Sequence, residues 1–384
     1  MPEFEVKHKQ PPVKKKKKKK ENIFVSIFSG LLPWKGDSAG DIVRKIIFLV
    51  SIAILVYALL TILNFYVFRD NANTAEAQKW AQLKNESASD DKISIVIRDT
   101  DDKTDNTDSD SGEEVEVLSE YVQYYEENND FVGWISIYPY VNYPVAQSDD
   151  NDFYLKHNFD KVPTANGTIF ADYQGVFTPT ERPNNIILYG HNLITNNYFQ
   201  PLSNYRKDIE FFKDNCTFDF DTLYARGKYK IFSVFLTNTK SEHGDVFNYN
   251  HFVYFNNRDE FFDFVSECLD RSYYYTDVDL EYGDEIMTLS TCDFSMFSDM
   301  RLVVVARRVR DGESPNIDTD KIIDNTGFDE NGNVRRKMFQ AYYDNYGCQW
   351  AGRSWDTSLV KDFDKYNDEN GTIEIGTAVA DANS

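Results

Sequence analysis

The chain has neither a CxxC nor an HxxxH spacing, so it offers no recognisable structural zinc site. It has no Gly-rich phosphate loop and no internal repeat, which argues against a nucleotide-cradling turn and against a stacked-repeat architecture. Cysteine is scarce, with four in all. Once Cys292 is set aside for chemistry argued below, Cys216, Cys268 and Cys348 are an odd number that cannot be fully paired, which excludes a disulfide framework. No cofactor or metal is therefore expected. Long hydrophobic runs are also rare, and one stretch alone exceeds the length of an ordinary core strand or helix.

That stretch is residues 46–68, IIFLVSIAILVYALLTILNFYVF, which carries no charge. At about 1.5 Å per helical residue it crosses a hydrocarbon layer of about 30 Å and reads as a transmembrane helix in contact with lipid. It is longer than the apolar part of a cleaved leader, although Ala75-Glu76-Ala77 offers a small-residue cleavage site. Basic residues gather before it (Lys14 to Lys20, Lys35, Arg44 and Lys45). The positive-inside rule therefore expects a single-pass protein with a cytoplasmic N-terminus and everything after Arg69 outside the cell. The Lys run taken alone resembles a nucleic-acid patch. Its place before an apolar span argues for membrane topology and against a nucleic-acid partner. Residues 23–34 form a shorter apolar stretch, broken by Gly30 and Pro33, expected at the membrane face.

The formal net charge of −22 is unevenly spread over the 384 residues. The first twenty residues carry nine Lys against two acids, whereas residues 90–120 carry twelve acids against three bases. Five segments follow. They are a basic tail 1–45, the span 46–68, an acidic tether 69–116 too polar to offset its ordering entropy, a folded domain 117–310, and an extension 311–384 that holds Trp350 and Trp355 and has no assigned role. The folded domain opens with a helix whose Leu118, Tyr121, Val122 and Tyr125 share a face. Short strand-like runs follow at 131–137, 143–146, 168–171, 186–189, 217–220 and 229–236, interrupted by helices at about 202–213 and from Asn257 onward. Cys268 falls on the apolar face of the second helix, as a core residue would. Many short strands with few helices point to a mainly β fold, a closed barrel.

The chemistry concentrates in EIMTLSTCDFSMFSDMRLVVVARRV, residues 285–309. Two β-rich runs flank a polar loop, so antiparallel pairing puts Cys292 and Arg301 on one rim, a thiol beside a fixed cation. That arrangement suits acyl transfer, with thiolate attack and a donor fork for the oxyanion. Taken as isolated residues, a strand-end Cys reads equally as a small buried hydrophobe, and the Arg as a surface residue. His191 ends the run Ile186-Ile187-Leu188-Tyr189-Gly190, where a buried strand runs out into a cleft. His8, His157, His243 and His251 lack that context. Asn192, Asp293 and Glu285 are polar neighbours that can tune the site.

TLSTC followed by Arg nine positions later resembles the signature of sortases. FVGWISI, YPVAQSDDNDFYLKHNF, GTIFADY and NIILYGHN follow that family's order, and the helix before the cysteine strand resembles class B. The resemblance covers about residues 117–309. It implies a sortase-type β-barrel with an N-terminal helix and a helix inserted before the catalytic strand, and His191, Cys292 and Arg301 as the catalytic set. It also implies a membrane-anchored enzyme of Gram-positive cells. Such an enzyme cuts secreted proteins after the Thr of an LPXTG- or NPQTN-like sorting signal through a thioacyl intermediate, then passes the acyl group to an amine, usually of a peptidoglycan precursor. Two other readings stand beside it: a papain-like cysteine peptidase, in which the nucleophile precedes the histidine, and a non-catalytic binding protein on the same barrel.

Overall fold

The computed structural model describes residues 30–33, 35–63, 79–80, 82, 84, 91–97, 113–193 and 197–370. The chain divides into two compact units, residues 1–71 and 72–384. In the first, helix α1 (Ala39–Leu63) is preceded by Ser38, whose Oγ accepts from the Asp41 N–H at 3.2 Å and caps the first turn. Its apolar side chains face outward, and by length and composition its 25 residues can cross a bilayer. Residues 64–68 of the expected span, the basic tail and most of the tether lie outside the described residues.

The second unit is built on a closed eight-stranded barrel, as the strand pattern predicts. β3 (Phe131–Ile137) and β4 (Val141–Ala146) form a hairpin, and β5 (Ile169–Ala171) runs parallel to β4. β6 (Asn185–Tyr189) turns back against β5. β7 (Thr217–Thr222) and β8 (Lys228–Asn238) pair with each other, and β7 also joins β3. β10 (Ile286–Asp293) and β11 (Met300–Arg308) complete the ring, β11 against β8 and β10 parallel to β6. Both faces of β10 and β11 are covered, which is why Leu289 and the run from Leu302 to Ala306 are apolar without alternation and wholly buried.

Helices cover the barrel where it would otherwise meet water. α2 (Val122–Glu127) buries Tyr124 against Trp134 of β3, ring centroids 5.1 Å apart. The expected helix near 202–213 is shorter: a 3-10 turn (Gln200–Asn204) precedes α3 (Ile209–Asp214), because Asp208 caps a new start by accepting from the Glu210 N–H. α4 (Arg258–Arg271) begins where expected, with Asn257 accepting from the Glu260 N–H, and its Cys268 is fully buried.

Two regions hold structure that the sequence reading did not specify. Within the stretch read as a tether, β1 (Lys92–Ile97) pairs antiparallel with β2 (Glu113–Leu118), and Trp80 packs edge-on to Phe159 at 5.0 Å. The alternating Ile93, Ile95 and Ile97 supply the β pattern that the surrounding acids obscure. The extension after residue 310, which the sequence left without a role, packs on the barrel. β12 (Ile323–Asp324) pairs with β9 (Tyr274–Tyr275), and α5 (Gln340–Tyr346) and α6 (Phe363–Asn370) bring Tyr342 and Phe363 into the main core.

Candidate active site

The rim is assembled by strand direction. β6 and β10 run parallel, so both end on the same side of the barrel, and antiparallel β11 begins there. Cys292 is the penultimate residue of β10 and Arg301 the second of β11, and the register makes them direct partners. Opposed residues of an antiparallel pair project to the same face with Cβ atoms about 4.5–5.5 Å apart. Both are partly exposed.

His191 lies two residues beyond β6, and the segment around it is tied to the cysteine strand at three points. The Gly190 N–H donates to the Ser290 carbonyl (3.2 Å), Thr291 Oγ1 donates to the Gly190 carbonyl (2.7 Å), and Asn192 Nδ2 donates to the Cys292 carbonyl (2.7 Å). Gly190 is required by a close approach, since a Cβ there would sit 2.8 Å from the Phe199 ring. The His191 ring is oriented from the other side: Nε2 lies 3.0 Å from the Leu155 carbonyl, which can only accept, so Nε2 carries the proton.

Of the polar neighbours considered in the sequence, Asn192 is the tie just described. Asp293 is buried and ion-pairs with Arg206 (Nε–Oδ2 2.9 Å), while its Oδ1 accepts from the Ser295 N–H at 2.8 Å. Glu285 precedes the other end of β10, about 20 Å away at roughly 3.3 Å per residue, where it accepts from Tyr229 and pairs with Arg182. It is not part of the rim. Sequence reasoning missed Leu155 and Arg206, and it missed Tyr249, whose buried hydroxyl meets Ser290 Oγ at 2.6 Å. Burial pushes the Tyr249 phenol up, and nearby Arg301 works in the opposite direction. Arg206 and Tyr249 lie outside the family-like blocks, and Leu155 lies inside one, in YPVAQSDDNDFYLKHNF, without any mark of its contact with His191. Each arrives from a loop or turn distant in sequence.

Two of the three other thiols, Cys216 and Cys268, are set apart by burial, while Cys348 in the extension is partly exposed. Burial pushes Cys268 well above its ordinary value, and burial likewise raises Cys216. Both are buried, whereas Cys292 is partly exposed at a strand end across from Arg301.

A family model described as Sortase domain matches residues 140–309. Sortase B of Staphylococcus aureus (strain NCTC 8325 / PS 47) is 34% identical over 185 residues, covering 48% of this chain and 72% of that protein. Sortase B of Listeria monocytogenes serovar 1/2a is 32% identical over 167 residues, covering 43% of this chain and 64% of that protein. A solved Staphylococcus aureus sortase B-substrate complex is 31% identical, with a TM-score of 0.46 over 51% of this chain and 87% of the other.

Proposed function

The chain belongs to the sortase family and is a class B cysteine transpeptidase, and from that premise we propose that Cys292, His191 and Arg301 carry the reaction on C-terminal sorting signals. The observation that carries this reading is the direct cross-strand pairing of Cys292 with Arg301 on the rim where β6 delivers His191. Cys292 Sγ attacks the carbonyl carbon after the Thr of an LPXTG- or NPQTN-like signal, and the C–N bond breaks to leave a thioacyl enzyme. His191 takes the proton that Cys292 Sγ gives up on forming the thiolate and passes it to the departing amine. With Nε2 engaged by Leu155, Nδ1 is the nitrogen that trades protons with the reactants. An incoming amine of a cell-wall precursor then attacks the thioester, His191 accepts the proton that this amine loses, the thiolate leaves, and a new amide replaces the old one. Arg301 holds the substrate carbonyl and the developing oxyanion through its donor fork.

The helix α1, with Arg44 and Lys45 at its start, supports a single-pass membrane anchor with its N-terminus in the cytoplasm and residues 72–384 outside. On this reading the tail is 1–45, the span 46–68, the tether 69–116, the catalytic domain 117–310 and the extension 311–384, with strands at 92–97 and 113–118 carrying the domain's edge upstream of 117.

The test is a library of sorting-signal peptides presented to the full chain with and without an amine, read by mass spectrometry. One signal should yield an adduct of the N-terminal fragment on Cys292 and, with amine present, a ligated product. Cleavage without any Cys292 adduct or ligated product would overturn the assignment.

A further inference from the structure

Residues 294–299 join the cysteine strand to the arginine strand, and the barrel alone does not hold them. Phe297, near the middle of this loop, stacks on His243, centroids 3.9 Å apart and planes 12° apart, and meets Phe339 of the C-terminal extension edge-on at 6.1 Å. His243 Nε2 also lies 3.1 Å from Asp299 Oδ1, and Thr239 Oγ1 donates to the Asp299 carbonyl at 2.8 Å. The extension packs closely behind His243. Gly244, at φ +116°, faces the start of α5 so tightly that a Cβ there would lie 2.6 Å from the Gln340 backbone nitrogen. Phe339 is itself buried and backed edge-on by Tyr342. The loop is therefore held at three places: by Arg206 on Asp293 at one end, by Thr239 and His243 on Asp299 at the other, and by the Phe339–Phe297–His243 contact between them.

We propose that the C-terminal extension sets the geometry of the catalytic rim, with Phe339 as a positioning residue that holds the 294–299 loop through Phe297. This inference rests on the assignment of Cys292 and Arg301 above. The two sit next to the last ladder pair, Asp293 with Met300, where strand ends open most readily, so the loop determines how tightly the pair is registered. Acyl transfer is sensitive to that register, since a displacement of about 1 Å can cost on the order of 10²-fold in rate.

The experiment uses the full chain in detergent with a cleavable sorting-signal peptide and an amine, and reads kcat, KM and the thermal midpoint. Phe339→Ala is expected to lower kcat by roughly 3- to 10-fold, the factor carried by one aromatic pair, with KM nearly unchanged. Phe339→Leu should recover most of the loss. Trp355→Ala, a buried change in the same extension that does not touch the loop, should lower the midpoint while leaving kcat near wild type. If Phe339→Ala does not fold, Phe297→Ala on the half-buried loop should show the same fall in kcat. A kcat within about twofold of wild type in the folded loop or Phe339 variant overturns the inference, as does an equal fall in Trp355→Ala. Turnover surviving in Cys292→Ala removes the site assignment and this inference together. A silent Cys292→Ala beside an unaffected Phe339→Ala removes the inference alone.

Discussion

The proposed catalytic rim and the C-terminal extension use different means of fixing residues in place. On the rim, Cys292 faces Arg301 through strand register, and the segment carrying His191 is pinned to β10 by three hydrogen bonds to or from the main chain. The extension shares one two-residue ladder with the rest of the unit, a single bridge between Leu280 and Val360 and a main-chain bond from the Lys337 N–H to the Asp270 carbonyl, and much of its remaining attachment runs through side chains. Asp270 at the end of α4, buried, accepts from both Arg353 (2.9 and 3.0 Å) and Trp355 Nε1 (2.7 Å), and Glu267 accepts from Lys337 at 2.6 Å. Arg307, fully buried in β11, is met by Glu313 at 2.6 and 2.8 Å. Backbone ladders suit the rim because they fix positions closely without burying charge. Charged anchors suit an added segment, because a few buried carboxylates can hold a chain that has little regular structure of its own.

These attachments are unequal. Removing one partner of a buried pair costs about 3–5 kcal/mol, whereas an exposed pair adds little. Asp270 is thus the principal anchor, and exposed contacts such as Lys361 with Glu281 (2.7 Å) are minor.

Substitutions on the rim and in the extension should accordingly fail in different assays. The largest effect falls on the rim: Cys292→Ala should abolish both cleavage and the trapped adduct, and His191→Ala should nearly abolish turnover, with thermal midpoints unchanged. Near-normal activity in Cys292→Ala would sink the catalytic reading. Arg301→Lys keeps the charge and loses the planar fork. Peptide turnover should fall by roughly 10²- to 10³-fold, the loss seen when one oxyanion donor is removed, and a small loss would reduce Arg301 to general electrostatics.

On the extension side, Asp270→Asn should leave kcat near wild type at about 25 °C while removing about 3 kcal/mol of stability, a fall of roughly 6–12 °C in the calorimetric midpoint. An unchanged midpoint would mean that Asp270 is not the anchor.

Glu313→Gln should show a pH-dependent deficit. Hydrogen bonds from Arg307, then from Lys230, hold the Glu313 carboxyl far below the ordinary carboxylate range. A depressed folded value contributes stability that is fully present above the unfolded pKa of about 4.3 and is lost as pH falls through the folded value. The midpoint gap between wild type and variant should therefore be widest near about pH 7 and narrow toward about pH 3. A gap independent of pH would mean that packing, rather than charge, joins Glu313 to Arg307. The smallest effect belongs to Lys361→Ala, whose exposed pair should leave the midpoint unchanged within error; a clear drop would show that surface pairs share the anchoring.

The extension was hard to read because its attachments have no period. Nothing in the spacing of Arg353 and Trp355 indicates that both reach Asp270, some eighty residues earlier. The strand β1 was obscured differently: its alternation is local, but its stability comes from a partner across the acidic block, so composition outweighed pattern.

The amino-acid sequence by itself determined the apolar helix, most barrel strands and the candidate thiol, imidazole and guanidinium, because each rests on local periodicity or on a compact motif. Tertiary structure alone decided that Tyr249 meets Ser290, that Leu155 orients His191, and that Phe339 reaches the 294–299 loop. Those outcomes depend on barrel closure and strand direction, which bring together residues far apart in the chain, and no local pattern records such pairings.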